Sequence, residues 1–215
     1  MTTIEIEEHF ETSRVRRLKA ATNGQHDRLD ESIMEENPFA NRERYSLLVK
    51  VQYQFHRDVD ALYFSPKLSR LLPGLAGLRR FGLIEQDLGD LGVVPATTSD
   101  EPEFRRDDAD VDLPTALGWL YVAEGSNLGA AFLLKAAGKL GLSESFGARH
   151  LAAAPEGPGR HWKTFTAALD AVNLSDAEEE RVIPGAHAAF SRVQELVTGL
   201  LAQPAATNGT RLSTS

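Results

Sequence analysis

Two features of the sequence carry residue types that could do chemistry: one histidine and a set of glycines, each within a helical pattern. The inward positions of the first helical pattern recur at spacings of four, four, three and four residues: Leu18, Thr22, His26, Leu29 and Ile33. We therefore expect His26 to point inward. An inward histidine is most often a hydrogen-bonded core residue, but a neutral imidazole there can also bind a metal, including a haem iron on its proximal side.

The second feature is an Ala- and Leu-rich run that contains Gly118, Gly125 and Gly129. Each glycine costs about 1 kcal/mol relative to alanine inside a helix. At about 100° per residue the three glycines fall within about 40° of one another, so they form a strip of bare backbone. The strip could accept a closely packed second helix or a flat ligand, and spacing alone favours the helix.

Length and composition exclude several classes of protein. The chain has 215 residues, 42% of them hydrophobic and 25% charged, which is ordinary for a globular protein of one large domain. A net charge of −8 argues against nucleic-acid binding. The absence of cysteine excludes disulfides, iron–sulfur clusters and a cysteine nucleophile. No secretory signal and no membrane-spanning apolar run is found, so we expect a cytoplasmic protein that does not bind a membrane.

The remaining patterns predict the elements that position these residues. Helical periodicity occurs without any strand pattern, which predicts an all-α fold, over residues 13–34, 42–64, 66–72, 78–91, 117–138, 160–172 and 175–201. We expect a single domain over 13–202, a flexible N-terminal segment at 1–12 and a disordered polar tail at 203–215.

Local signals refine these boundaries. Ser175 and Glu178 form a capping-box pattern that opens the last helical region, and Pro184 is expected to kink or divide that region. The polar, proline-bearing stretch from Val93 to Pro114 is typical of a surface connection.

Several common sites have no motif here. The sequence contains no Walker loop, no GxGxxG after a strand and no GxSxG elbow, so nucleotide-binding and hydrolase functions lack support. The central helices contain no Glu-x-x-His pair, which disfavours a di-iron carboxylate site.

Two longer motifs resemble a known family. The segments GWLYVAEGSNLGAAF (Gly118 to Phe132) and FGARHLA (Phe146 to Ala152) resemble the bacterial haem oxygenases of Gram-negative iron acquisition. The segment TNGQHDRLD (Thr22 to Asp30) is similar to the proximal helix of that family, and the match continues in order over about residues 13–200. The resemblance implies one all-α domain with haem held between a proximal and a distal helix.

The resemblance also implies a reaction. Haem is both substrate and prosthetic group, and O2 opens it oxidatively to biliverdin with release of CO and ferrous iron. No bound flavin or nicotinamide is expected, so the electrons come from an external ferredoxin or flavoprotein reductase. The alternatives are a protein that stores haem without opening it, and an α-helical scaffold without a cofactor. We expect a monomer, because no exposed apolar stripe requires a dimer.

By this resemblance, His26 is the proximal ligand of the iron. The catalytic residues, on the distal side, are Gly125, Ser126, Asn127, Gly129 and His150. Gly125 and Gly129 let the backbone approach the haem. A backbone wall with an ordered water, unlike a bulky distal imidazole, leaves activated oxygen free to reach a meso carbon.

The resemblance assigns two further sets of residues. The residues that could hold a distal water network are Gln52, His56, Arg80, His150 and Trp162, although each could instead be a polar group that braces two helices. Lys19 and Tyr121 match the propionate-binding residues of members that open the ring at the α-meso carbon, whereas β- and δ-forming members carry an amide and a phenylalanine. We therefore predict the α isomer.

Overall fold

Helices account for most of the computed structural model, which describes residues 13–95, 101–106, 111–154 and 156–202. The α-helices in these ranges are α1 (Arg14–Glu35), α2 (Arg42–Val59), α3 (Pro66–Leu71), α4 (Phe81–Asp90), α5 (Leu113–Gly125), α6 (Ala130–Gly138), α7 (Pro158–Asp170) and α8 (Asp176–Leu196). Within the described ranges, β pairing is limited to isolated bridges near Ser143. The predicted all-α fold is confirmed, while the segments 1–12 and 203–215 lie outside the described residues.

Short helical turns of other pitch join or extend these helices. They are the 3₁₀ turns Asp60–Phe64, Leu75–Leu78, Ser126–Leu128 and Arg149–Leu151, and the π-helical turn Val197–Leu201. The second predicted helix therefore tightens to 3₁₀ pitch at Asp60, although its apolar stripe is buried as expected and continues into the turn at Leu62.

The glycine-bearing run is not one continuous helix. It is interrupted at Ser126–Leu128, here called the helix break, where α5 ends and a 3₁₀ turn leads to α6. The Ser126 hydroxyl donates to the Ala123 carbonyl at 2.7 Å, and the Gly129 N–H donates to the Ser126 carbonyl at 3.3 Å. These local bonds compete with the regular α-helical ladder and account for the change of pitch.

The closest helix packing in the molecule lies between α5 and α8. A Cβ built on Gly118 would overlap the Val182 carbonyl and lie 2.5 Å from the Ala186 nitrogen. On the facing helix, a Cβ on Gly185 would lie 2.7 Å from the Thr115 carbonyl oxygen. Glycine at both positions therefore lets the two backbones touch, and Gly118 serves helix packing.

Helix α8 begins as predicted but is not divided. The Ser175 N–H donates to the Glu178 carboxylate at 2.8 Å in a capping box. Pro184 lies inside an uninterrupted helix, so the prediction that it divides this region is wrong. Packing along α5 holds the helix together despite the backbone hydrogen bond that proline removes.

The connection between α4 and α5 is more than a surface segment. Phe104 is buried with its ring edge-on to Trp119 at 5.5 Å, and its N–H donates to the Asp58 carbonyl at 3.1 Å. The expectation of a wholly surface connection is therefore wrong at this residue. No helix within the described ranges is long and apolar enough to cross a membrane.

Candidate active site

His26 lies on the face of α1 that carries the buried Leu18, Thr22 and Leu29, but it is not itself buried. Its side chain is 58% exposed, and its Nδ1 lies 3.5 Å from Asp30 and 3.7 Å from Asp27. The ring contacts Phe190 of α8 edge-on, at a centroid distance of 6.2 Å. The prediction of an inward histidine is wrong because helical periodicity identifies a face, whereas the elements packed on that face decide its exposure. The result is an accessible imidazole beside an aromatic ring.

Helices α1 and α5 approach each other close to this imidazole. The Tyr121 side chain of α5 lies beside Thr22 of α1, whose hydroxyl donates to the Leu18 carbonyl at 2.8 Å. Both helices pack against α8, whereas they make few contacts with each other. His26 follows Thr22 by one helical turn, and Gly125 follows Tyr121 by one turn. The two helices therefore share a support without filling the space between them with a common core.

The bare backbone predicted on the distal side is present at two of the three glycines. A Cβ on Gly125 would meet only the Trp162 ring, at 3.4 Å, and a Cβ on Gly129 would meet only the Ser126 carbonyl, at 3.8 Å. Beside them, Leu128 is 47% exposed and Phe132 is 64% exposed. A flat apolar ligand would cover such a surface, whereas Gly118 is already covered by α8.

The polar side chains at the helix break are already bonded within the protein. The Ser126 hydroxyl donates to Ala123, and the Asn127 amide donates to Glu124 at 3.3 Å. The Ser126 hydroxyl proton and one N–H of Asn127 are therefore already used within the protein.

The residues predicted to bind propionates differ in exposure. Lys19 is exposed on α1, whereas the Tyr121 side chain is buried beside Thr22. Burial raises the pKa of Tyr121, and the neighbouring Thr22 hydroxyl partly opposes that rise. Lys19 precedes Thr22 by one turn, so the two predicted residues belong to the same junction between α1 and α5.

A buried hydrogen-bonded chain links α2, α4 and the turn Arg149–Leu151. The His150 ring bonds Asp87 through Nδ1 at 2.7 Å and Gln52 through Nε2. Asp87 is fully buried and also accepts the backbone N–H groups of Arg149 and His150, each at 3.0 Å. Burial alone would raise the pKa of Asp87, but these hydrogen bonds hold it below its ordinary value. The pKa of His150 is lowered by burial, against the pull of Asp87.

Arg80 and His56 complete this cluster and leave polar atoms unpaired. The Arg80 guanidinium donates to the carbonyls of His150 and Ala152, the latter at 3.1 Å. Arg80 Nε and His56 Nδ1 are buried without a hydrogen-bond partner. Burial, with the nearby His150 and Arg80, lowers the pKa of His56 to about 3. Arg80 Nε and His56 Nδ1 are therefore the atoms to which ordered water molecules would form hydrogen bonds beside this cluster.

Trp162 does not join this cluster. Its ring packs against Tyr121 and Phe165, at centroid distances of 5.5 and 5.9 Å, and lies 3.4 Å from the position of a Cβ on Gly125. The structure therefore brings together four of the five residues predicted to hold water: Gln52, His56, Arg80 and His150.

Comparison with known proteins identifies the family. The family model described as heme oxygenase matches residues 13–198, which is most of the chain. The chain belongs to the haem oxygenase family. It is 42% identical over 197 residues to heme oxygenase PigA of Pseudomonas aeruginosa, a match that covers 92% of this chain and 98% of the relative.

Structural comparison agrees with this membership. The fold is similar to a solved structure described as the NO- and CO-bound heme oxygenase from Neisseria meningitidis. The TM-score is 0.81 at 37% identity, and the match covers 94% of this chain and 99% of that chain.

Family membership decides between the predicted functions. This haem oxygenase is a haem-degrading enzyme that uses haem as substrate and prosthetic group, with O2 and electrons from a reductase, and it needs no flavin or nicotinamide of its own. The predicted oxidative haem cleavage is confirmed, and the storage and scaffold alternatives are not supported.

One polar group beside the helix break is not among the residues predicted from the sequence. Glu124 is 1% exposed and accepts hydrogen bonds from the Tyr63 hydroxyl at 2.7 Å and the Asn127 amide at 3.3 Å. His161 Nε2 lies 3.0 Å from the same carboxylate. Burial raises the pKa of Tyr63, as does the neighbouring Glu124. A lone glutamate in an otherwise apolar helix was the available signal.

Proposed function

We propose that this haem oxygenase binds haem between α1 and the helix break, with His26 as the proximal ligand of the iron. The observation that carries the proposal is the 58% exposure of His26, an imidazole left accessible beside Phe190 on the face of α1 that also carries the buried Leu18, Thr22 and Leu29. Gly125 and Gly129 form the distal wall, because they offer bare backbone next to exposed apolar side chains. These residues fit a flat, apolar, iron-bearing ligand.

The surroundings of His26 orient its ring. Asp30 lies on the Nδ1 side at 3.5 Å, so a proton on Nδ1 is favoured and Nε2 is left with its lone pair for the iron. Bound haem supplies the iron at which O2 is activated and the porphyrin ring that is opened. Phe190 supports the imidazole from α8 and limits its rotation.

On the distal side, the protein contributes open space at the helix break and polar groups that can hold water. Ser126 and Asn127 are hydrogen bonded within the protein, and neither side chain is a strong acid. Water held by the cluster of Gln52, His56 and His150, where His56 Nδ1 has no protein partner, would supply protons. The bare backbone at Gly125 and Gly129 would leave room beside the edge of a bound porphyrin ring.

The finer features of the reaction follow from the same arrangement. Lys19 and Tyr121 hold the propionates, which orients the ring for opening at the α-meso carbon. A ferredoxin or a flavoprotein reductase supplies the electrons, and the enzyme acts as a monomer in the cytoplasm. The domain comprises residues 13–202, flanked by the flexible segment 1–12 and the disordered polar tail 203–215.

Hemin titration of the apoprotein tests the placement of the iron. We expect His26→Ala to lose the axial-ligand signature in the Soret region and to stop biliverdin formation, and added imidazole to restore part of both. The matched control is His187→Ala, because His187 lies on α8, is hydrogen bonded to Gln25 and should not ligate the iron. A wild-type hemin spectrum and turnover in His26→Ala would refute the proposal.

A further inference from the structure

A second cleft lies against α5, apart from the residues proposed to face haem. Its volume is about 460 Å³, and neither His26 nor the distal glycines line it. Most of its wall is apolar, contributed by residues 72–83 and 152–168. Its charged and titratable lining residues are Arg79, Arg80, Glu124, Glu156 and His161. Glu124 thus connects this cleft with the helix break.

A chain of close polar contacts runs from the cleft to the break. His161 Nδ1 lies 3.4 Å from Glu156, whose side chain is 41% exposed, and His161 Nε2 lies 3.0 Å from the Glu124 carboxylate. The same Glu124 oxygen accepts from the Asn127 amide at 3.3 Å. His161 and Glu124 are 7% and 1% exposed, so solvent reaches the chain mainly at Glu156.

We propose that His161 and Glu124 are positioning residues for the distal wall, with His161 holding the Glu124 carboxylate and that carboxylate holding Asn127 in the helix break. Asn127 lies between Gly125 and Gly129 in the sequence. The inference rests on the proposed function, because that function identifies these two glycines as the distal wall of the haem site. It adds a second polar system beside the cluster around His150, and Arg80 lies next to both.

The charge of His161 decides how strongly Glu124 is held. A buried carboxylate needs either a counter-charge or several donors, and the other two donors, Tyr63 and Asn127, are neutral. The groups that face the His161–Glu124 pair are Glu156 from the preceding loop, Tyr63 from the 3₁₀ turn, and Arg79 and Arg80 before α4.

Protonation of His161 therefore couples to the helix break. The hydrogen bond to Glu124, and then Glu156, raises the pKa of His161. Below that pKa, the His161 imidazolium and the Asn127 amide both donate to the same negatively charged oxygen of Glu124. Once His161 loses its proton, the carboxylate loses its hydrogen-bonded counter-charge and keeps only the more distant Arg80, so its bond to Asn127 must change.

NMR of the apoprotein tests this coupling without haem. In the wild type, the Asn127 side-chain amide and the Gly125 backbone amide should titrate with the same midpoint as the His161 ring, above the ordinary midpoint of histidine. Glu156→Gln removes the outer carboxylate and leaves the buried pair in place. We expect it to shift the His161 and Asn127 midpoints downward together, and a shift of His161 alone would overturn the proposal.

His161→Gln gives the complementary test. Glutamine can donate to Glu124 but cannot carry a charge, so the pH-dependent shift of Asn127 should disappear while circular dichroism remains that of the folded protein. Asn127 signals that titrate as in the wild type would refute the coupling.

The pH profile of turnover separates positioning from general stability. In the wild type, the turnover rate should change with pH over the range in which His161 titrates. In His161→Gln this change should disappear, while hemin binding should be retained. A wild-type protein that fails to bind hemin would refute the proposed function, whereas the NMR coupling would still be measurable.

Discussion

At the scale of single residues, Lys19 and Tyr121 carry the prediction of regiochemistry. Wild-type enzyme should yield α-biliverdin, and the double variant Lys19→Asn, Tyr121→Phe should shift the product toward the β and δ isomers. The reason is that the variant loses the Lys19 cation and the Tyr121 hydroxyl, and with them the proposed hold on the propionates. Chromatography of the extracted biliverdins measures the ratio. A wild-type product dominated by β and δ isomers would contradict the assignment.

His56 makes stability depend on pH. The folded protein keeps His56 neutral down to a pKa of about 3, whereas the unfolded chain takes up the proton near the ordinary value of 6.5. The free energy of unfolding therefore falls as pH drops from 6.5 toward 3, by at most about 1.4 kcal/mol per pH unit for this one proton.

We expect His56→Leu to reduce this slope in urea unfolding measured across the same pH range. The matched control is Gln54→Leu, because Gln54 also buries an unpartnered side-chain atom but does not titrate. The two variants should differ in slope. If His56→Leu retains the wild-type pH dependence, another group is responsible for the loss of stability in acid.

At the scale of helices, Gly118 is required for the close packing of α5 against α8, whereas Gly89 of α4 has no such packing role. Gly118→Ala should destabilise the protein by about 1–3 kcal/mol, because the new methyl group would overlap the backbone of α8 at Val182. The control is Gly89→Ala in α4, where a Cβ meets nothing within 4 Å and a gain of about 0.5–1 kcal/mol is expected. Urea unfolding measures both changes. An unchanged stability in Gly118→Ala would mean that the two helices can separate at little cost.

At the scale of the whole molecule, haem should act as a missing structural element. Because α1 and α5 both rest on α8 but contact each other little, a ligand bound to both adds a connection between them. Hemin at one hundred times its Kd should stabilise the fold by about 2.7 kcal/mol, seen as a rise in the thermal unfolding midpoint.

Iron-free protoporphyrin is the control for this effect. It offers the same flat apolar surface but no metal for His26, so it should raise the unfolding midpoint less than hemin does. Equal shifts with the two ligands would show that axial ligation contributes nothing to the stabilisation. No shift with either would argue against a ligand held between the two helices.

Local physics made much of the fold predictable from the sequence. Apolar periodicity and caps depend on neighbours within a few residues, so the positions of α1, α2, α3, α7 and the start of α8 followed from them. The long motifs around Gly125 and His26 also sufficed to indicate the family, which the comparisons confirm.

Exposure and pairing were decided only by the tertiary structure. Periodicity placed His26 and Gly118 on defined helix faces, but whether a face meets solvent or another backbone depends on elements far away in the chain. For the same reason the sequence did not reveal the contact between Glu124 and His161, which are 37 residues apart. Helix formation is a local property of the chain, whereas burial and electrostatic partners belong to the packed molecule, and so only the packed structure located these groups.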